Sequence, residues 1–195
     1  MAANPELRIT PETYLAMERA GEFKSEYYGG YMYAMSGASY RHVVITGNLA
    51  FHLRSALDKS GCSVVSSDLR VCVAPSGLYT YPDVVVICGK PQFVDNQHDT
   101  LINPTMLIEV LSPTTEAYDR GFKSSQYRKI ESLREYALVS QQEPRVEVHR
   151  RDEHGQWVIG DFAGLETNCH FSSVDCEIPL AAIYQNITFE EAAPR

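Results

Sequence analysis

The sequence predicts an α/β fold in which helices flank a central mixed sheet. Two observations lead to this fold class. The runs YPDVVVIC and TMLIEVLS have the length of strands and are rich in β-branched and other apolar residues, as in strands covered on both faces. Residues 40–59 instead carry apolar side chains three or four positions apart, which is the period of an amphipathic helix. A chain of 195 residues is long enough to bury such a core.

The N-terminal part is predicted to form a helix and a hairpin. Thr10 precedes a proline, which indicates a helix N-cap followed by its first turn, and this helix should end near Gly21. The stretch EFKSEYYGGYMYAMSG is aromatic around a Gly-Gly pair, a composition typical of a β-hairpin. We therefore assign residues 1–38 to an N-terminal extension of a single domain.

The core of that domain is predicted at residues 39–165. Ser39 should cap the helix over residues 40–59, and a second helix is predicted over residues 115–132. The strands expected after the first helix are SVVSS, LRVCVA, YPDVVVIC, TMLIEVLS and the antiparallel C-terminal strands EYALVS, RVEVHRR and QWVIGDF. Residues 166–195 show no regular period and are predicted to be an irregular tail.

Composition and charge narrow the possible functions. A formal net charge of −8 disfavours a protein that simply coats nucleic acid, although residues 119–151 carry eight Lys/Arg against five Asp/Glu. No apolar run reaches membrane-spanning length and no secretory signal is recognisable, so we expect a cytoplasmic protein without a membrane partner. The five cysteines contain no CxxC pair, and in a reducing compartment we expect them to be free thiols.

Two carboxylates stand where the chain should be buried. Asp83 opens one central strand and Glu109 lies within another. An isolated buried carboxylate is costly, and two on adjacent strands repel each other, but a divalent cation relieves both penalties. Mg²⁺ binds a few carboxylates together with waters and phosphate oxygens, so these residues are candidate metal ligands.

The helix after the Glu109 strand supplies a candidate cation. Asp119, Lys123 and Tyr127 lie on one of its faces because they are four positions apart. An ammonium group near Glu109 could orient or help deprotonate an attacking water, and it could stabilise negative charge developing on phosphorus.

These motifs resemble the PD-(D/E)XK nuclease superfamily and, more closely, a widespread bacterial family of predicted restriction endonucleases. The similarity rests on PDVVV, IEVLSP and YDRGFKSSQY, together with EYYGGYMYAMSGASYRH and LREYALVS, and covers most of the chain. It implies a restriction-endonuclease-like core and an endonuclease that hydrolyses phosphodiester bonds, with DNA as the expected substrate. It also implies Mg²⁺ or Mn²⁺ as the cofactor, held by Asp83 and Glu109.

One position departs from the superfamily pattern. The usual lysine two residues after the glutamate is replaced by Leu111, so the resemblance implies that Lys123 on the following helix takes its role. Glu26 and His42 match further polar positions of the family, as an outer metal ligand or water contact and as a contact to substrate or to the carboxylates. Nucleases that cut both strands are often dimers, and the tyrosine-rich hairpin is a candidate interface, although it could instead cover one end of the core.

Each of these residues could also have a purely structural role. Glu109 could form a buried ion pair with Arg70 or Lys123, Asp83 could be a turn residue, and Asp119 with Lys123 could be an ordinary helical ion pair. The whole chain could be a nuclease-fold domain that binds or assembles without catalysis, an alternative favoured by the missing strand lysine and the acidity. A metal-dependent hydrolase of a small phosphate or other ester is a third possibility. The sequence has no Walker, GxSxG or HExxH motif, so the motifs of the obvious competing enzyme classes are absent.

Overall fold

The computed structural model describes residues 8–189. This part of the chain contains five α-helices and thirteen strands. In chain order these are α1 (Pro11–Ala20), β1 (Ser25–Tyr28), β2 (Tyr31–Ala34), α2 (Tyr40–Leu57), β3 (Cys62–Ser66), β4 (Arg70–Val73), β5 (Leu78–Thr80), β6 (Val84–Cys88), β7 (Thr100–Leu101), β8 (Met106–Val110), α3 (Glu116–Tyr118), a π-helical turn (Asp119–Lys123), α4 (Ser124–Tyr127), β9 (Glu135–Val139), β10 (Arg145–Arg151), β11 (Trp157–Ala163), β12 (Asn168–Phe171), a 3₁₀ turn (Ser172–Val174), β13 (Cys176–Pro179) and α5 (Leu180–Ile183).

The strands form one large mixed sheet, one smaller sheet and a two-stranded sheet of β12 and β13. The large sheet has six strands in the order β11-β10-β9-β8-β6-β3, in which only the β8–β9 pair is parallel. The smaller sheet has five strands in the order β2-β1-β5-β4-β7, and it includes the predicted N-terminal hairpin. The predicted fold class, with a central mixed sheet, flanking helices and antiparallel C-terminal strands, is confirmed.

The central strands of the six-stranded sheet, β6, β8 and β9, are buried on both faces. On β8, Met106, Ile108 and Val110 pack in one core with α2 and the C-terminal hairpin. Leu107 and Leu111 pack in a second core with the five-stranded sheet and the segment around α4. Successive side chains of a strand point to opposite faces, which explains why the β8 sequence is apolar throughout apart from its glutamate. Each fully buried side chain of this kind contributes about 1.5–3 kcal/mol to folding.

The predicted N-terminal helix is present with the expected ends, whereas the two predicted core helices end earlier than expected. The helix predicted over 40–59 is α2, which ends at Leu57, and Ser39 caps it by accepting a hydrogen bond from the His42 amide. The helix predicted over 115–132 ends at Tyr127 and is interrupted by the π-helical turn. The chain then turns back towards β9, and its apolar residues Ile130 and Leu133 insert into the second core without being helical. No helix within residues 8–189 is long and apolar enough to cross a bilayer.

The prediction of an irregular tail over 166–195 is wrong for the part that the structure describes. β12 and β13 form an antiparallel hairpin, and α5 follows it. Cys169, Phe171 and Ile178 are buried against α2 and the large sheet, so hydrophobic burial holds this hairpin in place. Each strand has only four residues, which is too short for an alternating pattern to be recognised in the sequence. Residues 190–195 of the predicted tail, and residues 1–7 of the predicted N-terminal extension, lie outside the described residues.

The prediction that all five cysteines are free is also wrong. Cys62 and Cys88 form a disulfide between β3 and β6, where the two residues are direct partners in the strand register. Cys72, Cys169 and Cys176 are free, as predicted, and all three are buried. The two bonded cysteines are 26 residues apart, and only the pairing of their strands brings them together.

Candidate active site

Glu109 lies on β8 with its side chain facing the helical segment 116–127. The residue is only 4% exposed. Its Oε1 accepts hydrogen bonds from Lys123 Nζ (3.1 Å) and from the Tyr127 hydroxyl (2.8 Å). Arg70, the other candidate partner, donates its hydrogen bonds to Thr100 and Tyr81 instead. The buried carboxylate therefore has partners from the helix that follows its strand.

Lys123 is surrounded by three carboxylates. Its Nζ lies 3.0 Å from Glu26 Oε1, 3.1 Å from Glu109 Oε1 and 3.3 Å from Asp119 Oδ1. Asp119 Oδ1 is fully buried and, although within ion-pair distance of the ammonium, makes no hydrogen bond within residues 8–189. If all four groups are ionised, one positive charge faces three negative charges in a site that water hardly reaches. We call these four residues the Lys123 network.

The ionisation of this network follows from its burial. Burial raises the pKa of Glu109 well above its ordinary value; the Lys123 ammonium opposes this shift, and the negative charges of Asp119, Asp83 and Glu26 reinforce it. Burial also raises the pKa of Asp119, again against the effect of Lys123. For Lys123 itself, burial lowers the pKa, but the surrounding anionic groups, Glu109 first, outweigh it and raise the pKa well above 10.5. Lys123 is therefore a permanent cation at neutral pH.

Asp83 lies one residue before β6, beside the strand that carries Glu109. Val84 pairs with Ile108 in the β6–β8 register, which places Asp83 next to the Glu109–Val110 peptide. Its Oδ2 accepts a hydrogen bond from the Val110 amide (2.7 Å), and its Oδ1 lies 2.8 Å from His42 Nε2 in the first turn of α2. Asp83 is therefore adjacent to Glu109 through the backbone, but it is paired with His42 and not with Lys123.

The predicted site residues thus form two adjoining groups. The first joins Glu26, Asp119, Lys123 and Tyr127 around Glu109. The second is the Asp83–His42 pair, and the Val110 amide connects it to the first.

Three further polar residues complete these groups and were missed in the sequence. Thr80 and Tyr118 donate hydrogen bonds to the two oxygens of Glu26 (2.5 and 3.1 Å), and Gln141 bridges His42 Nδ1 and the Leu111 carbonyl (3.3 and 2.7 Å). Tyr118 directly precedes Asp119 in the sequence, a proximity that could have identified it. Thr80 and Gln141 carry no such signal, because only the strand pairing brings them to the site.

The carboxylate oxygens of Asp83 and Glu109 are ligands of the type that suits a divalent metal ion such as Mg²⁺. Within residues 8–189, no three His, Cys, Asp or Glu side chains are arranged as a complete metal cage. Mg²⁺ does not need one, because it is often bound by one or two carboxylates and otherwise by waters and phosphate oxygens. In the described part of the chain, Glu109 uses only Oε1 for its hydrogen bonds, which leaves Oε2 as a ligand, and Asp83 stands beside it. The excess negative charge of the Lys123 network would be offset by such an ion.

Comparisons with known proteins show several similarities. The sequence profile of the Uma2 family, described as "Putative restriction endonuclease", matches residues 11–171. The chain is 33% identical over 182 residues to the uncharacterized protein slr1290 of Synechocystis sp., covering 93% of this chain and 94% of that protein. It is 34% identical over 164 residues to the uncharacterized protein sll1609 of the same organism, covering 84% and 93% respectively.

The fold is also found in a solved structure. The crystal structure of a "putative nuclease belonging to DUF820" from Anabaena variabilis superposes with a TM-score of 0.74 and 19% sequence identity. The superposition covers 90% of this chain and 97% of that chain. Because the sequence identity is only 19%, this match establishes the fold alone, which is restriction-endonuclease-like.

Proposed function

This chain belongs to the Uma2 family of restriction-endonuclease-like proteins, and on that premise we propose that it is a metal-dependent endonuclease that hydrolyses phosphodiester bonds of DNA. The observation that carries the proposal is the environment of Glu109. A buried carboxylate on a central strand is bonded to a buried lysine (3.1 Å) and stands beside Asp83 at the start of the neighbouring strand. This set of two acids and one amine is the one that the sequence resemblance implies.

Asp83 and Glu109 are the proposed ligands of Mg²⁺ or Mn²⁺. When bound there, the ion would lower the pKa of a water molecule and neutralise charge on the phosphate. His42 holds the Asp83 carboxylate at 2.8 Å, and Gln141 in turn hydrogen-bonds the other ring nitrogen of His42. These contacts fix the orientation of Asp83, as the outer partners of metal ligands commonly do.

Lys123 is the proposed electrophilic group. Because its pKa is raised, it stays protonated and acts as a cation that orients the phosphate or the attacking water, not as a general base. Its ammonium is held in place by Glu26 and Asp119, and Tyr127 donates to the same Glu109 oxygen. These three residues are therefore proposed to position the site without contacting the substrate.

The proposal is tested by incubating the purified protein with DNA in the presence of Mg²⁺ or Mn²⁺. Cleavage should require the metal and should be lost in Asp83→Asn and Glu109→Gln, which keep the size of each side chain. Asp58→Asn and Glu166→Gln, at exposed positions, serve as matched controls and should cleave like the wild type. Full cleavage by both site variants would refute the assignment, and hydrolysis of a simple phosphodiester without cleavage of nucleic acid would indicate the small-ester alternative.

A nuclease-fold domain that binds or assembles without catalysis is the second candidate. It is favoured by the ion pairs of Lys123, because an ammonium that already pairs with Glu26, Glu109 and Asp119 can occupy the place of a metal ion. Titration calorimetry with Mn²⁺ separates the two candidates. The nuclease should bind the ion with heat that disappears in Glu109→Gln, whereas a pure binding domain should show no heat at any accessible pH.

We further propose that the protein is a homodimer, since one active site cuts one strand of a duplex. We also propose that it is located in the cytoplasm. The hairpin tyrosines are only partly available as an interface: Tyr27 is buried against Tyr14 and Tyr79, which agrees with the alternative that the hairpin covers the core. Light scattering of the purified protein tests the dimer, for which a monomeric mass at high concentration would be the contrary result. Cell fractionation tests the location.

A further inference from the structure

A cavity with aromatic walls opens beside the candidate active site. Its volume is about 350 Å³, at the lower end of the range for small-ligand sites. It lies between the β1–β2 hairpin and the segment that leads into the π-helical turn. The lining residues are Tyr28, Tyr33, Thr114, Thr115, Tyr118 and Phe122.

Tyr118 lines the cavity and contacts the Lys123 network. The hydroxyl of Tyr118 donates to Glu26 Oε2 at 3.1 Å, and Lys123 Nζ lies 5.6 Å from the centre of the Tyr118 ring. Tyr118 therefore lines the cavity while bonding to a carboxylate that holds the proposed electrophile. A molecule whose charged end reaches Lys123 can thus place a neighbouring group against this ring.

The walls indicate what that neighbouring group is. None of the six lining side chains is a charged group at neutral pH, so the cavity suits an uncharged occupant and the phosphate belongs in the adjacent network. Tyr118 and Phe122 stack with ring centres 5.3 Å apart and an interplanar angle of 16°, and Tyr28 meets Phe122 edge-on at 4.8 Å. Flat aromatic walls of this kind bind nucleobases by stacking, whatever the base.

We propose that this cavity binds an unpaired nucleobase next to the phosphate being cleaved, so that the substrate is a single-stranded or locally opened nucleic acid. The proposal rests on the proposed nuclease function and adds the substrate class. Thr114 and Thr115 also line the cavity; their hydroxyl groups each lie within 3.1 Å of the Ser112 hydroxyl and, because a hydroxyl can both donate and accept, keep the capacity to hydrogen-bond a base edge. In an intact duplex the bases are stacked and paired, so a base must leave the stack to enter such a cavity.

The experiment measures binding separately from cleavage. Every protein carries Glu109→Gln, and the probe is a short single-stranded DNA containing 2-aminopurine, whose fluorescence falls on stacking. Tyr33→Leu and Phe122→Leu remove one aromatic wall each; Tyr40→Leu and Phe51→Leu change the same residue types at exposed positions of α2 and serve as controls. We expect roughly tenfold weaker binding and loss of the fluorescence change in the two wall variants only. The intact duplex should bind more weakly than the single strand.

The outcomes separate this inference from the proposed function. If the wild type cleaves DNA with metal but the wall variants bind like the controls, the base-binding cavity is refuted and the nuclease stands. If no nucleic acid is cleaved but binding depends on Tyr33 and Phe122, the cavity stands and the nuclease does not. Equal affinity for duplex and single strand, or wall variants that change only the oligomeric state, would also overturn the inference.

Discussion

Arg70 and Lys123 are both buried cations, but their surroundings differ in charge balance. Arg70 pairs with Asp99 (3.1 Å), and Asp99 also pairs with Arg19, which in turn pairs with Asp95. These four residues, here the Arg70 network, contain two cations and two carboxylates. The Lys123 network contains one cation and three carboxylates.

The carboxyl pKa values shift in opposite directions in the two networks, because the networks differ in their ratio of cations to carboxylates. Hydrogen bonds from Arg19 lower the pKa values of Asp99 and Asp95. Burial raises the pKa of Glu109 well above its ordinary value, because the single ammonium cannot compensate three acids. The Arg70 network fastens α1 to the segment before β7, which is a structural task. The Lys123 network is a costly arrangement that would be eased by a bound cation, as expected of a functional site.

Loss of Lys123 should give the largest change in stability. Lys123→Met leaves three buried carboxylates without a cationic partner, and we expect the free energy of unfolding to fall by about 3–5 kcal/mol. Urea denaturation without metal measures the change. Lys59→Met, at an exposed position, should shift it by less than about 0.5 kcal/mol. A shift as small as that of the control would mean that Lys123 does not compensate these acids.

Loss of Arg70 should cost about 3 kcal/mol in stability, because it removes a buried guanidinium that hydrogen-bonds Thr100 and Tyr81 and pairs with Asp99. In contrast to Lys123, it should leave metal binding and cleavage unchanged. Denaturation of Arg70→Met and calorimetry with Mn²⁺ on the same sample give both values. Reduced metal affinity in a fully folded Arg70→Met protein would show that the two networks are not independent.

Glu109→Gln should have the opposite effect on stability. At neutral pH the unfolded chain ionises Glu109 freely, whereas the folded site holds this carboxyl at a raised pKa among other acids. Replacing it with an amide that does not titrate removes this cost and should stabilise the metal-free protein by about 1 kcal/mol, while metal-dependent cleavage is lost. Thermal unfolding with a chelator measures the gain. A strong loss of stability would show that Glu109 is a structural partner of Lys123 and would favour the non-catalytic alternative.

The pH dependence of folding stability should distinguish the Lys123 network from the Arg70 network. The folded protein keeps a proton on Glu109 that the unfolded chain releases above about pH 4.5, so the metal-free protein should lose stability as pH rises through the raised pKa. For Asp99 the folded pKa is lowered, so its contribution should be lost as pH falls below 3.8. Melting temperatures across pH should show the first slope flattened in Glu109→Gln and the second flattened in Asp99→Asn. Unchanged slopes in these variants would contradict the pKa directions.

The smallest effect is expected at Arg19. Its ion pairs with Asp95 and Asp99 are partly exposed, and such pairs contribute about 0.2–1 kcal/mol. Arg19→Gln should therefore lower stability only within that range, and the loss should shrink at high salt. An effect as large as that of Arg70→Met, independent of salt, would mean that Arg19 is an essential part of the buried network.

The sequence was sufficient to predict those parts of the site whose positions depend on local periodicity. The run around Glu109 predicted β8, and four-residue spacing placed Asp119, Lys123 and Tyr127 on one face. The neighbouring position of Asp83 followed once β6 and β8 were taken as adjacent strands, and the structure pairs them. Whether Asp83 and Glu109 share a metal ion stays a prediction.

Long-range pairing explains what the sequence did not show. The disulfide between Cys62 and Cys88 depends on the β3–β6 register, and Thr80 reaches Glu26 through the β1–β5 pairing. The local sequence around Glu26 gives no sign that this carboxylate is buried, yet the residue is only 2% exposed because the small sheet and the π-helical turn cover it. No local pattern encodes such contacts.

The proposal that Asp83 and Glu109 bind one metal ion is tested most directly by soaking a crystal of the protein in Mn²⁺ and measuring diffraction at the manganese absorption edge. If Asp83 and Glu109 bind the ion, an anomalous peak should lie about 2 Å from both carboxylates, with the Lys123 ammonium beside it. A fully soaked crystal with no peak there, in which Lys123 still bridges Glu26, Glu109 and Asp119, would contradict it.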